Sequence, residues 1–238
     1  QYICTAAGQL NDNGQGPGQH ATVLLKSGAA MSFLVVIPQV LVGVFSAAIL
    51  RGLGQSQDEA QYAQSFFDYY VISMPLSSLV VVANQFFMGF TKVHYPVLTQ
   101  AIGVLFYGSS VGVIMASHPT NQEKMAGAGQ ALVVFSGTTC LASLVVLCSR
   151  ASHFGIRGQG GGESDEKQLL KENFSKMLKN GLPLFIVTLS EVGILSLVNF
   201  LVGHADTENL RPQLVLTQYQ DILLMFSSAM ATATQIQL

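Results

Sequence analysis

Long runs without charged residues restrict this chain more than any other feature of its sequence. Six runs of 21 to 25 residues contain at most one Asp, Glu, Lys or Arg each: 28–50, 69–90, 97–117, 125–149, 181–203 and 212–236. An apolar helix of about 20 residues crosses the hydrocarbon core of a bilayer, where only helices and closed barrels satisfy their backbone hydrogen bonds. Because apolar and polar residues do not alternate with a period of two, the sequence predicts an all-α polytopic membrane helix bundle with six transmembrane helices.

The overall composition favours a membrane environment as well. Apolar residues make up 50% of the 238 residues and charged residues 10%, whereas soluble domains carry roughly 25% charged residues. The net charge of −2 provides no basic surface for nucleic acid. We therefore expect the chain to contact membrane lipid and not nucleic acid.

A linker is expected to divide the first four predicted spans from the last two. Residues 158–162 are rich in glycine and are followed by a charged run up to Lys179, a composition typical of a flexible connection. The prediction therefore places four spans in residues 1–149, a linker in residues 150–180, and two spans in residues 181–238.

The distribution of Lys and Arg predicts the orientation. The loops before the first span, after the second and after the fourth hold eight of the eleven basic residues, namely Lys26, Lys92, Arg150, Arg157, Lys167, Lys171, Lys176 and Lys179. Since cytoplasmic loops are enriched in Lys and Arg, these loops are expected in the cytoplasm, together with both ends of this segment.

Glu191 is the strongest candidate for a functional residue. It lies near the middle of the fifth predicted span, where a charged carboxylate costs about 2.5 to 3.5 kcal/mol on insertion scales. Such a residue carries a proton, holds a sodium ion or binds a cationic ligand; the alternative is a carboxyl group that is hydrogen-bonded for packing alone.

Four further polar residues are candidates for lining a cavity: Asn84, Asn199, Gln218 and Asp221. Gln218 lies one turn before Asp221 on the same helix face. Asp221 either has a functional role or is an acid that lines a cavity or is stabilised by a paired group. Asn84 hydrogen-bonds either a substrate or a neighbouring helix.

The sequence indicates no cofactor and no enzymatic centre. The five histidines show no metal-ligand spacing on one helix face, so a sodium ion at Glu191 is the one metal site considered. An intramembrane enzyme that uses Glu191 and Asp221 as an acid/base pair would need a nucleophile or metal nearby, and no such motif is visible.

Several motifs resemble the multidrug and toxic compound extrusion (MATE) family of transporters. The strongest is Lys-Asn-Gly-Leu-Pro-Leu at 179–184, followed by Ser190 and Glu191, which is similar to the start of the family's seventh helix. Residues 49–55, 84–92 and 125–131 are similar, in that order, to the loop between helices three and four, the end of helix four and the opening of helix six.

The resemblance implies a transporter of twelve helices in two lobes, of which this chain covers about the end of helix two to the end of helix eight. The implied activity is efflux of small amphipathic organic cations by antiport against Na⁺ or H⁺ through alternating access. Glu191 would be the acid of helix seven that couples the cation. The remaining helices of the transporter would be partners, and the fragment alone is expected to be inactive.

Two alternatives share the predicted helices. A lipid-linked oligosaccharide flippase of the same superfamily would need a basic cavity for phosphates, and no Lys or Arg lies inside a predicted span. The other alternative is a structural membrane protein that transports nothing.

Overall fold

Five helices follow one another in the part of the chain that the computed structural model describes, which comprises residues 18–117, 120–154, 156, 167–168, 170–183 and 186. They are α1 (Gly18–Val44), α2 (Ser46–Gly52), α3 (Gln57–Gly89), α4 (His94–Ser117) and α5 (Asn121–Ser149). Residues 170–183 are also helical, and no strand occurs among the described residues. The all-α prediction is confirmed.

Four of the helices are long and apolar enough to cross a membrane. The qualifying stretches are Ala21–Val44, Gln57–Gly89, His94–Ile114 and Gln122–Ser149. Four of the six predicted spans therefore fall on such helices. The predicted spans 181–203 and 212–236 lie outside the described residues, except for 181–183 and 186, which are helical.

The first predicted span, 28–50, is interrupted at Phe45, where α1 ends and α2 begins. The interruption is held by a side chain of α3, because Gln64 Oε1 accepts hydrogen bonds from Ser46 Oγ at 2.8 Å and from the Ala47 backbone N–H at 3.0 Å. Gln64 Nε2 donates in turn to Asp68 Oδ1 at 2.7 Å. Gln64 thereby provides an acceptor for one hydroxyl and one backbone N–H at the start of α2.

α3 is longer than the predicted span 69–90. Its 33 residues extend about 50 Å at 1.5 Å per residue, well beyond a hydrocarbon core of about 30 Å. Residues 58–69 have apolar side chains on one side, which predicts a separate interfacial segment before the span; they form instead the first turns of this continuous helix. A capping box fixes its start, since the Glu59 backbone N–H donates to Ser56 Oγ at 3.3 Å and the Ser56 backbone N–H donates to Glu59 Oε2 at 3.1 Å.

The C-terminus of α3 is closed by a Schellman motif. The Lys92 N–H donates to Phe87 O at 3.0 Å, and the Thr91 N–H donates to Met88 O at 2.9 Å. Thr91 takes the left-handed conformation that this motif requires, with φ 57°. Left-handed backbone is costly for a β-branched residue, so Thr91 is a strained position.

α3 is the central helix, since it packs mainly against α5 and α1, while α4 packs mainly against α5. Glycines lie at the closest approaches. A Cβ atom added to Gly129 of α5 would lie 2.6 Å from the Phe66 carbonyl oxygen of α3, and one added to Gly103 of α4 would collide with Thr139 Oγ1 of α5. The small residues Gly127, Ala128 and Gly129 predict close helix contact at the start of α5, and the structure confirms it at Gly129.

A second row of small residues behaves differently. Gly108, Gly112 and Ala116 of α4 form a row of small residues that predicts close helix contacts, but no described helix packs closely on Gly108 or Gly112. A Cβ atom added to Gly108 or Gly112 would meet no atom within 4 Å. The row lies on a side of α4 that the described helices do not cover, where Leu105 is 72% exposed and Val113 is 71% exposed.

An aromatic cluster joins the end of α3 to the turn that follows α5. The ring of Phe154 lies 5.7 Å from the rings of both Phe86 and Phe87, 5.5 Å from Phe90 and 6.1 Å from Tyr95, measured between centroids. Phe86, Phe87 and Phe154 are fully buried. The cluster fixes this end of the bundle.

Candidate functional site

Polar side chains meet between α3 and α5 inside the bundle. The hydroxyl oxygens of Ser77 and Ser136 lie 2.9 Å apart, so one donates to the other. The two helices run in the same direction. Gly129 lies seven residues before Ser136 in α5, and its neighbour in α3, Tyr69, likewise lies before Ser77. The hydrogen bond therefore fixes the register of one helix on the other.

Asn84 and Ser143 each lie seven residues beyond a member of the bonded serine pair. Since seven residues return to the same side of two packed helices, both are expected about 10 Å further along the same sides of α3 and α5. We call the four residues Ser77, Asn84, Ser136 and Ser143 the α3–α5 seam.

Asn84 and Ser143 differ from the serine pair in their hydrogen bonding. Asn84 Oδ1 and Ser143 Oγ are buried and have no hydrogen-bond partner. A buried polar group without a partner costs about 1–3 kcal/mol. The α3–α5 seam thus contains two buried polar atoms that have no hydrogen-bond partner among the described residues.

The hydroxyl of Ser143 is exceptional among the buried hydroxyls of the described structure. Four others donate to a carbonyl of their own helix, namely Ser27, Ser73, Thr99 and Thr139, and Ser46 and Ser136 bond to side chains of α3. Ser143 is 2% exposed and makes neither kind of bond.

An open groove of about 490 Å³ lies where α3 and α5 begin. Glu59, Tyr62 and Ala63 of α3 line it together with Lys124 and Met125 of α5. It combines a carboxylate, an ammonium group and an aromatic ring at one end of the bundle. The sequence did not indicate this groove.

The structure describes one of the five predicted site residues. Asn84 lies half-buried in α3, on the α3–α5 seam. Four others lie outside the described residues: Glu191, Asn199, Gln218 and Asp221. The roles assigned to these four from the sequence stay predictions.

Sequence reasoning missed the serines of the seam. Ser77 and Asn84 are seven residues apart, and so are Ser136 and Ser143. This matched heptad spacing on two long apolar helices was the signal available in the sequence.

The chemistry of the seam is that of a neutral site. Residues 69–89 of α3 and 125–149 of α5 contain no Asp, Glu, Lys or Arg. Among the described residues, no group of three or more His, Cys, Asp or Glu side chains is placed to hold a metal ion. The seam can therefore bind by hydrogen bonds, and it offers neither an acid/base pair nor a strong ion ligand.

A family model described as MatE matches residues 5–114, a segment that contains α1, α2, α3 and most of α4. No curated protein matches the chain significantly.

Proposed function

We propose that this protein carries out secondary active efflux of small amphipathic organic cations by antiport against Na⁺ or H⁺. The MatE family model that matches residues 5–114 supports the proposal. The MatE match is the observation that carries this proposal, since it assigns the segment to a transporter family and not to an enzyme family. The four charge-poor candidate spans support it.

The proposed mechanism is competition between two cations for one cavity that opens alternately to each side of the membrane. Glu191 is the proposed coupling residue, because a carboxyl group in an apolar span exchanges a proton or Na⁺ with a cationic substrate. Asn84, Asn199, Gln218 and Asp221 are proposed to line the cavity. Binding of one cation favours release of the other, so the ion gradient drives export.

The orientation proposed for this transporter places the turn after α3 in the cytoplasm and the loop between α2 and α3 on the opposite side. The excess of Lys and Arg in alternate loops supports it. Val93 and Leu53 are exposed apolar residues in these two connections, which makes them a matched pair. In a variant without native cysteines, Leu53→Cys should react with a membrane-impermeant maleimide in intact cells and Val93→Cys should not; the reverse pattern would invert the orientation.

Efflux of a fluorescent cation tests the function. Cells producing the protein from its natural gene should export ethidium under an imposed Na⁺ or H⁺ gradient, and Glu191→Gln should lose most of this export. Glu163→Gln changes a carboxyl group in the predicted linker and should transport normally. Surface-located protein that exports no organic cation under either gradient would contradict the proposed activity and favour the structural alternative.

A further inference from the structure

The open groove at the start of α3 and α5 carries two opposite charges on separate helices. Glu59 lies on α3 and Lys124 on α5, and the remaining lining is Tyr62, Ala63 and Met125. The groove contains none of the residues proposed to line the transport cavity. Its volume of about 490 Å³ falls within the range of about 300–1,000 Å³ that is typical of small-molecule sites. Such a lining suits a ligand that carries both charges and an apolar part.

The carboxylate and the walls of the groove are held in place by the protein itself. Glu59 Oε2 accepts hydrogen bonds from the Ser56 backbone N–H at 3.1 Å and from Ser56 Oγ at 2.7 Å. A carboxylate offers about four lone-pair sites, so Glu59 can also accept from a ligand. One turn beyond the groove the two helices meet, where a Cβ atom added to Gly129 would lie 2.6 Å from the Phe66 carbonyl oxygen. Preorganised groups lose less conformational entropy on binding.

The groove lies at one edge of the predicted bilayer. Lys124 is the last charged residue before the charge-free run 125–149, so Met125 begins the span and Lys124 lies just outside it. Both side chains are exposed, and so is that of Tyr62. Tyrosine and the long side chain of lysine are favoured at the membrane–water interface. Phospholipid headgroups surround a membrane protein at this level.

From these observations we propose that the groove binds one phospholipid with a zwitterionic headgroup. Glu59 accepts hydrogen bonds from the ammonium group of the headgroup, and Lys124 donates to its phosphate. The apolar part of the lining contacts the glycerol and the first methylene groups. The N-termini of α3 and α5 lie at this same end, and their partial positive charge favours the phosphate further. Binding of the lipid does not require that the protein transport anything.

The two opposite charges distinguish this ligand from an organic cation and from an anionic lipid. A cation without a phosphate is attracted by Glu59 and repelled by Lys124. A headgroup with a phosphate and no ammonium group is attracted by Lys124 and repelled by Glu59. Only the zwitterion gains from both residues, so repulsion of the other two ligands contributes to specificity.

Native mass spectrometry of the purified protein from its natural gene tests the role of Glu59. Offered equal amounts of phosphatidylethanolamine and phosphatidylglycerol, the protein should bind the ethanolamine lipid about two- to fivefold more, as expected for an exposed ion pair. Glu59→Gln keeps a capping-box acceptor and should bring this ratio to about one. Asp58→Asn removes the same charge from an exposed neighbour that does not line the groove, and it should preserve the ratio.

Three results of this experiment would overturn the proposal. They are equal binding of the two lipids by the unmodified protein, a ratio that Glu59→Gln leaves unchanged, and an equal loss in Asp58→Asn.

Lys124→Gln separates a zwitterion site from a site for a bare cation. Loss of the contact to the phosphate should weaken binding of phosphatidylethanolamine by about two- to fivefold, whereas a site for a bare cation would bind more tightly without the repelling ammonium group. Lys92→Gln removes the same charge in the turn at the opposite end of α3 and should leave binding unchanged. Binding of the ethanolamine lipid by Lys124→Gln that equals or exceeds that of the unmodified protein would overturn the proposal.

Discussion

The hydroxyl groups of Ser77 and Ser136 are hydrogen-bonded at 2.9 Å across two long helices that run in the same direction. They lie in segments without charged residues, where helices gain little from the hydrophobic effect and depend on close packing and polar contacts. This bond and the close approach at Gly129 together set how α5 lies on α3.

The register can be trapped by a disulfide. In a variant without native cysteines, Ser77→Cys combined with Ser136→Cys should cross-link on mild oxidation. The two hydroxyl oxygens lie 2.9 Å apart, and a disulfide needs side chains that meet with their Cα atoms about 4.4–6.8 Å apart. Ser77→Cys with Ser143→Cys is the control, displaced by about 10 Å along α5, and it should stay reduced. Intact-protein mass spectrometry reads both outcomes. Efficient cross-linking of the control pair would show that the register is wrong.

Gly129 should tolerate no side chain. Gly129→Ala places a Cβ atom 2.6 Å from the Phe66 carbonyl oxygen, and such overpacking costs about 1–3 kcal/mol of unfolding free energy. Gly112→Ala meets no described atom within 4 Å and should be neutral or slightly stabilising. Unfolding of the two variants in detergent provides the comparison. Equal stability of the two would contradict the tight α3–α5 contact.

Gln64 should stabilise the break between α1 and α2. Gln64→Leu leaves the Ser46 hydroxyl and the Ala47 N–H without their acceptor, so we expect a loss of about 1–3 kcal/mol. Gln61→Leu alters an exposed residue one turn earlier in α3 and should change stability little. Denaturant titration of both variants checks this. A Gln64→Leu protein as stable as the parent would mean that the break does not depend on this side chain.

Thr91 should be improved by glycine. Its φ of 57° is unfavourable for a β-branched residue and costs glycine nothing. After allowing for the greater freedom of an unfolded glycine, Thr91→Gly should raise the free energy of unfolding by up to about 1 kcal/mol. Thr91→Val keeps the branching and loses the hydroxyl contact to Phe90 O, so it should not stabilise. A destabilised Thr91→Gly protein would contradict the strain at this position.

The sequence predicted the four described candidate spans because length and missing charge alone decide whether a helix can cross a bilayer. It did not predict the break at Phe45, which depends on a hydrogen-bond acceptor from another helix, Gln64. It also did not show that α3 continues from the expected interfacial segment into the span. Capping by Ser56 and Glu59 sets that start.

Which side of each helix faces protein was the less predictable part. Lipid and protein interiors are both apolar, so composition does not mark the buried face of a membrane helix. Gly108 and Gly112 therefore looked like a contact row and are exposed, whereas Gly43 lies against Val71 and Gly103 against Thr139. For the site, the sequence identified Asn84 but not the serines, because their role arises from the pairing of two helices.

Ion movement driven by an organic cation tests the antiport proposal most directly. Proteoliposomes containing the protein from its natural gene would be loaded with Na⁺ at one pH, and ethidium would be added outside. We expect entry of the organic cation to drive Na⁺ or H⁺ outward, and we expect Glu191→Gln to abolish this coupling. Entry of the organic cation without movement of either ion, or coupling that persists in Glu191→Gln, would contradict the account.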